Sequence, residues 1–513
     1  MLSTIKTFVC TADTPVVQTR AGKLRGMVVD GIYTFRGIQY ATAARFLPPE
    51  PVKPWDGIVD CQDYGYVCPL IKQPRYRGDA VMLHRFWTSA ENCLFLNVWS
   101  NSLDPGAKKP VMVWLHGGGF SMGSSNEMYS YEGENMAQDK DVVMVTLNHR
   151  LSILGYLDLS EFGPQYAHSG NVGMEDIVEA LRWVRDNIAQ FGGDPENVTI
   201  FGQSGGGGKV QTLMQMPSAD GLYHKAIIMS GVLSFAGNSK EKAQLTARRI
   251  VEKMGGLEQL LTRDFFYLAE ASAAVEAEHG AISWAPVPGC GDYAGGWDVV
   301  GFRPETAAVP VIAGTVINEF FFETAAFDRS ALTEEELLAA MEERYGEDAA
   351  KAIALWKQTY PDINPYYCKG LDVRFRVPTL RFVDARIAFT GAPVYNYLTA
   401  HESAYKGGRL TNHNDDLPFV FRNEGGYGAL HSADTRLDAK IREELSGSFA
   451  AFAASGNPNQ ACMGHWEPCA PGKHATFVFC DGYSRTRVNH DAELIAMGSR
   501  HALVVDLEKI MKR

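Results

Sequence analysis

Apolar runs recur along the chain at 111–115 (VMVWL), 141–147 (DVVMVTL), 198–201 (VTIF), 226–229 (AIIM), 309–313 (VPVIA), 394–398 (VYNYL) and 476–480 (TFVFC). A strand with one wet face alternates apolar and polar residues, whereas a strand covered on both faces reads as a near-continuous apolar run. These runs therefore predict buried parallel strands. The stretch 175–190 has a different rhythm: Ile177, Ala180, Leu181, Val184 and Ile188 step by three and four to make one helical stripe. Strands alternating with such helices predict an α/β sheet joined by right-handed crossovers. Residues 324–360 break the pattern. They are rich in Ala, Glu and Leu (LTEEELLAAMEERY) and predict helices inserted after a strand. No repeat, low-complexity tract or linker interrupts the 513 residues, so a single domain over 1–513 is expected.

Two glycine-rich segments follow strands. The run 198–201 leads into Gly202-Gln203-Ser204-Gly205-Gly206, a G-x-S-x-G at a strand-to-helix turn. So tight a turn needs glycine on both sides. It leaves the serine exposed at the top of the sheet, with a helix N-terminus aimed at the reacting atom. There the dipole and free N–H groups favour developing negative charge. Gly205 to Gly208 is a long glycine run for a helix start. Each interior glycine costs about 1 kcal/mol against alanine, so a packing or close-approach reason is expected. Ser204 is the candidate nucleophile.

The second segment, His116-Gly117-Gly118-Gly119-Phe120, follows the run 111–115. Glycines let backbone N–H groups point into a cavity with no Cβ in the way, as acyl-transfer enzymes require for a tetrahedral oxyanion. Gly118 and Gly119, with the N–H of Gly205, are the candidate oxyanion hole. Alone the segment could be a flexible loop, but beside the elbow it points to acyl transfer.

Composition acts mainly by exclusion. A formal net charge of −12 offers no basic face for nucleic acid. No window approaches the 18 apolar residues of a membrane span. The N-terminal segment is broken by Ser3, Thr4, Lys6 and Thr7 and stops at Asp13, which is not a signal-peptide core. A cytoplasmic location is therefore expected. Nine scattered cysteines predict neither a disulfide framework nor a zinc site. No metal or cofactor is expected.

The blocks Phe35-Arg36-Gly37-Ile38-Gln39-Tyr40-Ala41, Glu91-Asn92-Cys93-Leu94-Phe95-Leu96-Asn97, Asn148-His149-Arg150-Leu151 and Phe191-Gly192-Gly193-Asp194-Pro195 stand in order around the elbow. With Gly221-Leu222 and Ser230-Gly231 they resemble, over nearly the whole chain, the type-B carboxylesterases: bacterial para-nitrobenzyl esterases, animal carboxylesterases and cholinesterases. The resemblance implies an α/β-hydrolase fold, a mostly parallel sheet flanked by helices, with the 324–360 helices near the active-site entrance. Surface helices with no part in access are the other reading of that stretch.

The resemblance also implies a triad in the order Ser, acid, His. Among the later histidines the residues alone leave the base open, and His401, at the end of a predicted strand, is a fair choice. However, His413-Asn414-Asp415-Asp416-Leu417-Pro418-Phe419-Val420-Phe421 is similar to the family's H-G-x-E-x-P-F-V-F, which implies His413. Gly314-Thr315-Val316-Ile317-Asn318-Glu319-Phe320 is similar to G-x-x-x-D-E-G, which implies Glu319 as the acid, ahead of Glu323. The implied activity is hydrolysis of small to medium carboxylic esters through an acyl-enzyme. Amide, thioester or lactone cleavage would use the same residues, and a non-catalytic binding module is the reading from another class. Gln203 and Ser230 are implied to sit beside the triad, with an ordinary strand-end serine the other reading of Ser230, and Arg45–Glu91 and Arg150–Asp176 to form ion pairs. Cys68 and Cys93 align with a family disulfide; in a reducing cytosol they should be neighbouring free thiols. The chain departs from the family at Gln203 (usually acidic), Asn414 (usually glycine), Asn92 (usually aspartate) and a shortened loop between Tyr40 and Arg45.

Overall fold

The computed structural model describes residues 7–71, 82–235, 237–321 and 325–503. The chain divides into two compact units. One takes in Met1–Pro74, Arg85–Ile227 and Leu233–Val309; the other is chiefly Ile228–Val232 and Pro310–Arg513.

The sheet of the first unit starts antiparallel. Met27–Val29 pairs with Ile32–Gln39, that strand with Phe95–Ser100, and Phe95–Ser100 with Val143–Leu147. It then turns parallel, with Lys109–Leu115 between Val143–Leu147 and Gly193–Gln203. The apolar runs predicted as strands lie in this parallel part, buried as expected. The strand predicted from 141 begins at Val143, because Asp141 takes a φ of 55° that no strand residue adopts. The antiparallel edge was not predicted. Ile32–Gln39 reads IYTFRGIQ, and its register shifts between Phe35 and Ile38, so neither period survives along it. The predicted helical stripe is realised as Val172–Asn187, with Ile177, Ala180, Leu181 and Val184 all buried.

The second unit has its own run of parallel strands, Val311–Val316, Val394–Ala400 and Ala475–Cys480, edged by antiparallel Arg485–Val488. The strand predicted at 309–313 starts at Val311; Pro310 just before it has no N–H for the ladder. The inserted stretch is helical, as Glu334–Tyr345 and Ala349–Thr359. A capping box starts the first helix: the Thr333 N–H donates to Glu336 at 2.9 Å, and the Glu336 N–H to Thr333 Oγ1 at 3.2 Å. Met341, Tyr345, Ala352 and Trp356 join Leu398 and Val478 of the strands in one apolar cluster. Their inner faces therefore belong to the core of this unit.

Candidate active site

Strand register brings the two glycine motifs together. Leu115 lies opposite Gly202 in the parallel pair, so His116 to Gly119 and Gln203 to Gly205 leave neighbouring strands at one level. Ser204 sits at φ 57°, ψ −124°. A non-glycine residue in sparsely populated backbone space costs about 1–3 kcal/mol and persists only where its surroundings over-determine it. Here the helix Gly205–Leu213 starts at once, and the Gly208 N–H donates to the Ser204 carbonyl at 3.0 Å. A Cβ on Gly205 would fall 2.3 Å from the backbone of Gly119, and one on Gly206 only 1.9 Å from the Leu115 carbonyl. The expected close approach is thus the reason for glycine at 205 and 206. Gly118 is exposed, while Gly119 and Ser204 are half-buried. Gln203 is buried, with its Oε1 3.3 Å from where a Gly117 Cβ would stand.

In the second unit the backbone continues its pairing past the strand ends. The Ile317 N–H donates to Thr399 at 3.1 Å, Asn318 to Thr411 at 3.2 Å and His413 to Glu319 at 2.7 Å. This draws together two side chains 94 residues apart in sequence, with His413 Nδ1 2.5 Å from Glu319 Oε2. The Val316 N–H donates to Glu319 Oε1 at 3.2 Å. Phe320 and Phe375 flank the imidazole at ring-centroid distances of 4.3 and 5.1 Å. Burial disfavours the charged form of either partner. It pushes the imidazole down to about 3. It raises the Glu319 carboxyl, helped by Asp372 and opposed by the Ser230 hydroxyl and the Val316 N–H. Ser230 is fully buried, and its N–H donates to Gly314 at 2.8 Å. Its hydroxyl acts on Glu319 across a gap: among the described residues Oγ has no hydrogen bond of normal geometry.

Two supporting residues escaped the sequence reading. Asp372 accepts N–H bonds from Arg374, Phe375 and Arg376 at 3.1, 2.9 and 3.0 Å, which seats Phe375 beside the imidazole. Its signal was an aspartate ahead of a turn, whose short side chain can accept N–H groups two to four residues on. Asp415 accepts from Arg409 at 3.0 and 3.1 Å and from the Asn412 N–H at 2.9 Å, tying down the loop that carries His413.

His401 lies between two carboxylates: its Nδ1 is 2.5 Å from Asp481 in a hydrogen bond, and its Nε2 is 3.1 Å from Asp438 without hydrogen-bond alignment. Burial alone would lower it, but the two carboxylates outweigh burial and hold it up at about 9. An imidazolium clamped on both sides has no nitrogen free to take a proton. Both implied ion pairs form: Arg45 to Glu91 at 2.6 Å, and Arg150 to Asp176 at 2.8 and 2.6 Å. Cys68 and Cys93 are buried neighbours, and the Cys93 thiol is pushed up by Cys68 beside it and by burial. Glu323 and the first six residues of the N-terminal segment lie outside the described residues. Among the described residues no group of three or more His, Cys, Asp or Glu could hold a metal ion, and no helix is long and apolar enough to cross a membrane.

Residues 13–491 match the sequence profile described as the carboxylesterase family. The chain belongs to the carboxylesterase family. It is 32% identical over 474 residues to the para-nitrobenzyl esterase of Bacillus subtilis (strain 168), covering 86% of this chain and 90% of that one. It is 30% identical over 498 residues to the phenmedipham hydrolase of Pseudarthrobacter oxydans, covering 91% and 95%. Among solved structures, an esterase of Clostridium hathewayi that can hydrolyse aliphatic aromatic polyesters superposes with a TM-score of 0.91 at 40% identity, covering 97% of this chain and all (100%) of its own. The Geobacillus stearothermophilus carboxylesterase superposes at 0.71 with 32% identity, over 94% and 99%. This carboxylesterase therefore has the α/β-hydrolase fold and hydrolyses carboxylic esters.

Proposed function

We propose that Ser204 is the nucleophile, His413 the base and Glu319 the acid that orients it, with the N–H groups of Gly118, Gly119 and Gly205 as the oxyanion hole. The observation that carries this reading is the 2.5 Å contact between His413 Nδ1 and the buried Glu319 carboxyl. It fixes one tautomer, and burial keeps the resting imidazole neutral, as a base must be before it takes a proton. In the reaction Ser204 Oγ bonds to the ester carbonyl carbon while its proton passes to His413. The carbonyl electrons move onto the oxyanion. As the oxyanion collapses, the carbon–alcohol bond breaks and His413 protonates the departing alkoxide. Water then repeats the cycle on the acyl-enzyme and releases the acid. Gln203 and Ser230 support the triad from beside it.

The substrates are small to medium carboxylic esters, and the names of the relatives favour esters with an aromatic part. A fluorophosphonate should label one serine. Peptide mapping that places the label anywhere but Ser204 would sink the assignment. An ester panel varying acyl length and alcohol size, with a short aliphatic aromatic polyester, one amide and one lactone, ranks the substrate classes. A cytoplasmic location is part of the proposal. Alkylation of protein from cells lysed anaerobically should find Cys68 and Cys93 as thiols; a quantitative bridge would move the enzyme to an oxidising compartment.

A further inference from the structure

The nucleophile helix carries one charged side chain, and it is fully buried: Lys209. Its Nζ donates to the carbonyl oxygen of His116 at 2.8 Å, a backbone acceptor rather than a carboxylate. That carbonyl belongs to the peptide that opens the glycine loop His116 to Gly119. The Phe120 ring closes the far end of the same loop, and its centroid lies 6.0 Å from Nζ. Two imidazoles fill the space behind. His116 and His149 stack at 5.1 Å with their rings 22° apart. Nδ1 of each lies 2.9 Å from a carbonyl, that of Gly117 for His116 and that of Arg150 for His149. Burial first, and Lys209 second, push both imidazoles well below their ordinary range, so both are neutral. Burial also lowers Lys209 itself, to about 7, with Glu127 pulling the other way.

This placement is poor for stability. A buried ammonium is costly to desolvate, and a cation near the N-terminus of a helix opposes the helix dipole. Both features that destabilise the fold favour an anion in front of the loop. The helix dipole and the ammonium carry the same sign, and the ammonium grips the first peptide of the segment whose N–H groups are the proposed oxyanion donors.

We propose that Lys209 is a positioning residue of the oxyanion hole, a buried ammonium that ties the start of the glycine loop to the nucleophile helix and adds positive potential where the oxyanion forms. This rests on the reading of Ser204, Gly118 and Gly119 given above. It differs from a structural role in what it moves. A group that stabilises only the tetrahedral anion changes kcat and leaves KM, while a packing residue changes stability and both constants together.

The test compares wild type with Lys209→Met, which keeps length and removes charge, and Lys209→Gln, which keeps a donor. The probes are a p-nitrophenyl ester and a trifluoromethyl ketone, whose adduct with serine is a tetrahedral anion. Lys209→Met should lower kcat about 10- to 100-fold at pH 6, somewhat less than the loss of a direct oxyanion donor. KM should stay within about threefold, and affinity for the ketone should fall in parallel with kcat. The deficit should narrow by pH 9, where the wild-type lysine has lost its proton; Glu127, His116 and His149 are the other ionisable groups around it. Lys209→Gln should fall between the two. Lys209→Met should also melt no lower than wild type, since it removes a buried charge; should it fail to fold, Lys209→Gln decides on the same readouts. A kcat within twofold of wild type at pH 6, or a loss carried by KM with ketone affinity unchanged, would overturn the proposal. Ser204→Ala run alongside separates the failures. If that variant is inactive while Lys209→Met is normal, the lysine inference alone is wrong. Activity in Ser204→Ala removes the parent reading as well.

Discussion

Around Ser204 the first unit places backbone: Gly119 against Gly205, and the Leu115 carbonyl against Gly206. Around His413 the second unit places side chains: the Glu319 carboxyl on Nδ1, Phe320 and Phe375 on the ring faces, and Asp415 under the loop. The first region holds one strained residue by leaving no room for anything else. The second keeps an imidazole neutral by burial and gives it a direction through one carboxylate. A region built of backbone fails sterically, and its one buried charge, Lys209, stands behind the glycine loop rather than at the nucleophile. A region built of ionisable side chains fails by protonation.

Substitutions that strike each region at its own weakness should separate the two. In the first, Ser204→Ala should lose at least about three orders of magnitude in kcat, leaving the contribution of binding and the oxyanion donors. Gly206→Ala should damage the fold itself, because its Cβ would lie 1.9 Å from the Leu115 carbonyl. Circular dichroism and melting of both variants check the contrast. Ser204→Ala should melt close to wild type, since alanine carries the same Cβ at the same backbone angles, and Gly206→Ala well below. A Gly206→Ala protein with wild-type melting would show that the backbone here is free to move.

In the second region His413→Ala should be nearly as inactive as the serine variant, because members of a triad act as a unit. His401→Ala should stay within about tenfold of wild type in kcat. Initial rates on one p-nitrophenyl ester rank the pair, and the reverse order would exchange the roles assigned to the two histidines.

Those two histidines also mark what the sequence carried and what it did not. The elbow and the glycine loop were legible because glycine spacing records a backbone requirement directly. Position along the strands favoured His401, and only the block from His413 to Phe421 pointed elsewhere. The reason lies in partners distant in sequence: Asp438 and Asp481 face the two nitrogens of His401, and no local pattern announces them. Lys209 was passed over for the same reason, since a lysine after four glycines gives no sign of being buried. Of the fold, the parallel strands were legible from their unbroken apolar runs. The strand Ile32–Gln39 was not, because its bulge falls on Arg36 and Gly37 and breaks the alternation an antiparallel strand should display.

Protonation gives a graded test. A base must be neutral to act, so activity holds as pH falls until the pKa of the base in free enzyme is reached. Burial places His413 at about 3, well below the ordinary 6.5. The acid limb of kcat/KM, measured with a non-ionising ester, should therefore lie below pH 5, or wherever acid unfolding intervenes first. A limb near 6.5 would mean that the imidazole is far better solvated than its surroundings imply.

The smallest effect on catalysis, and a distinct one on stability, belongs to His401. Its pKa is raised in the folded protein to about 9, from an ordinary value of 6.5. A group bound more tightly to its proton in the folded state contributes stability that is fully present below the unfolded pKa and is lost as pH rises through the folded one. The window for His401 thus runs from about 6.5 to about 9. Two and a half pK units correspond to about 3 kcal/mol as an upper figure, since Asp481 is partly exposed and solvent screens its share. His431 also lies 2.8 Å from Asp438 and keeps that carboxylate partnered when His401 is replaced. Urea unfolding of wild type and His401→Gln at pH 6 and at pH 10 isolates the contribution, because other titrations common to both proteins cancel in the difference. Wild type should exceed the variant by a few kcal/mol at pH 6, and most of that margin should be gone at pH 10. A margin that does not change between the two would mean that Asp438 and Asp481 hold a neutral ring, and His401 would then return as a group able to accept a proton.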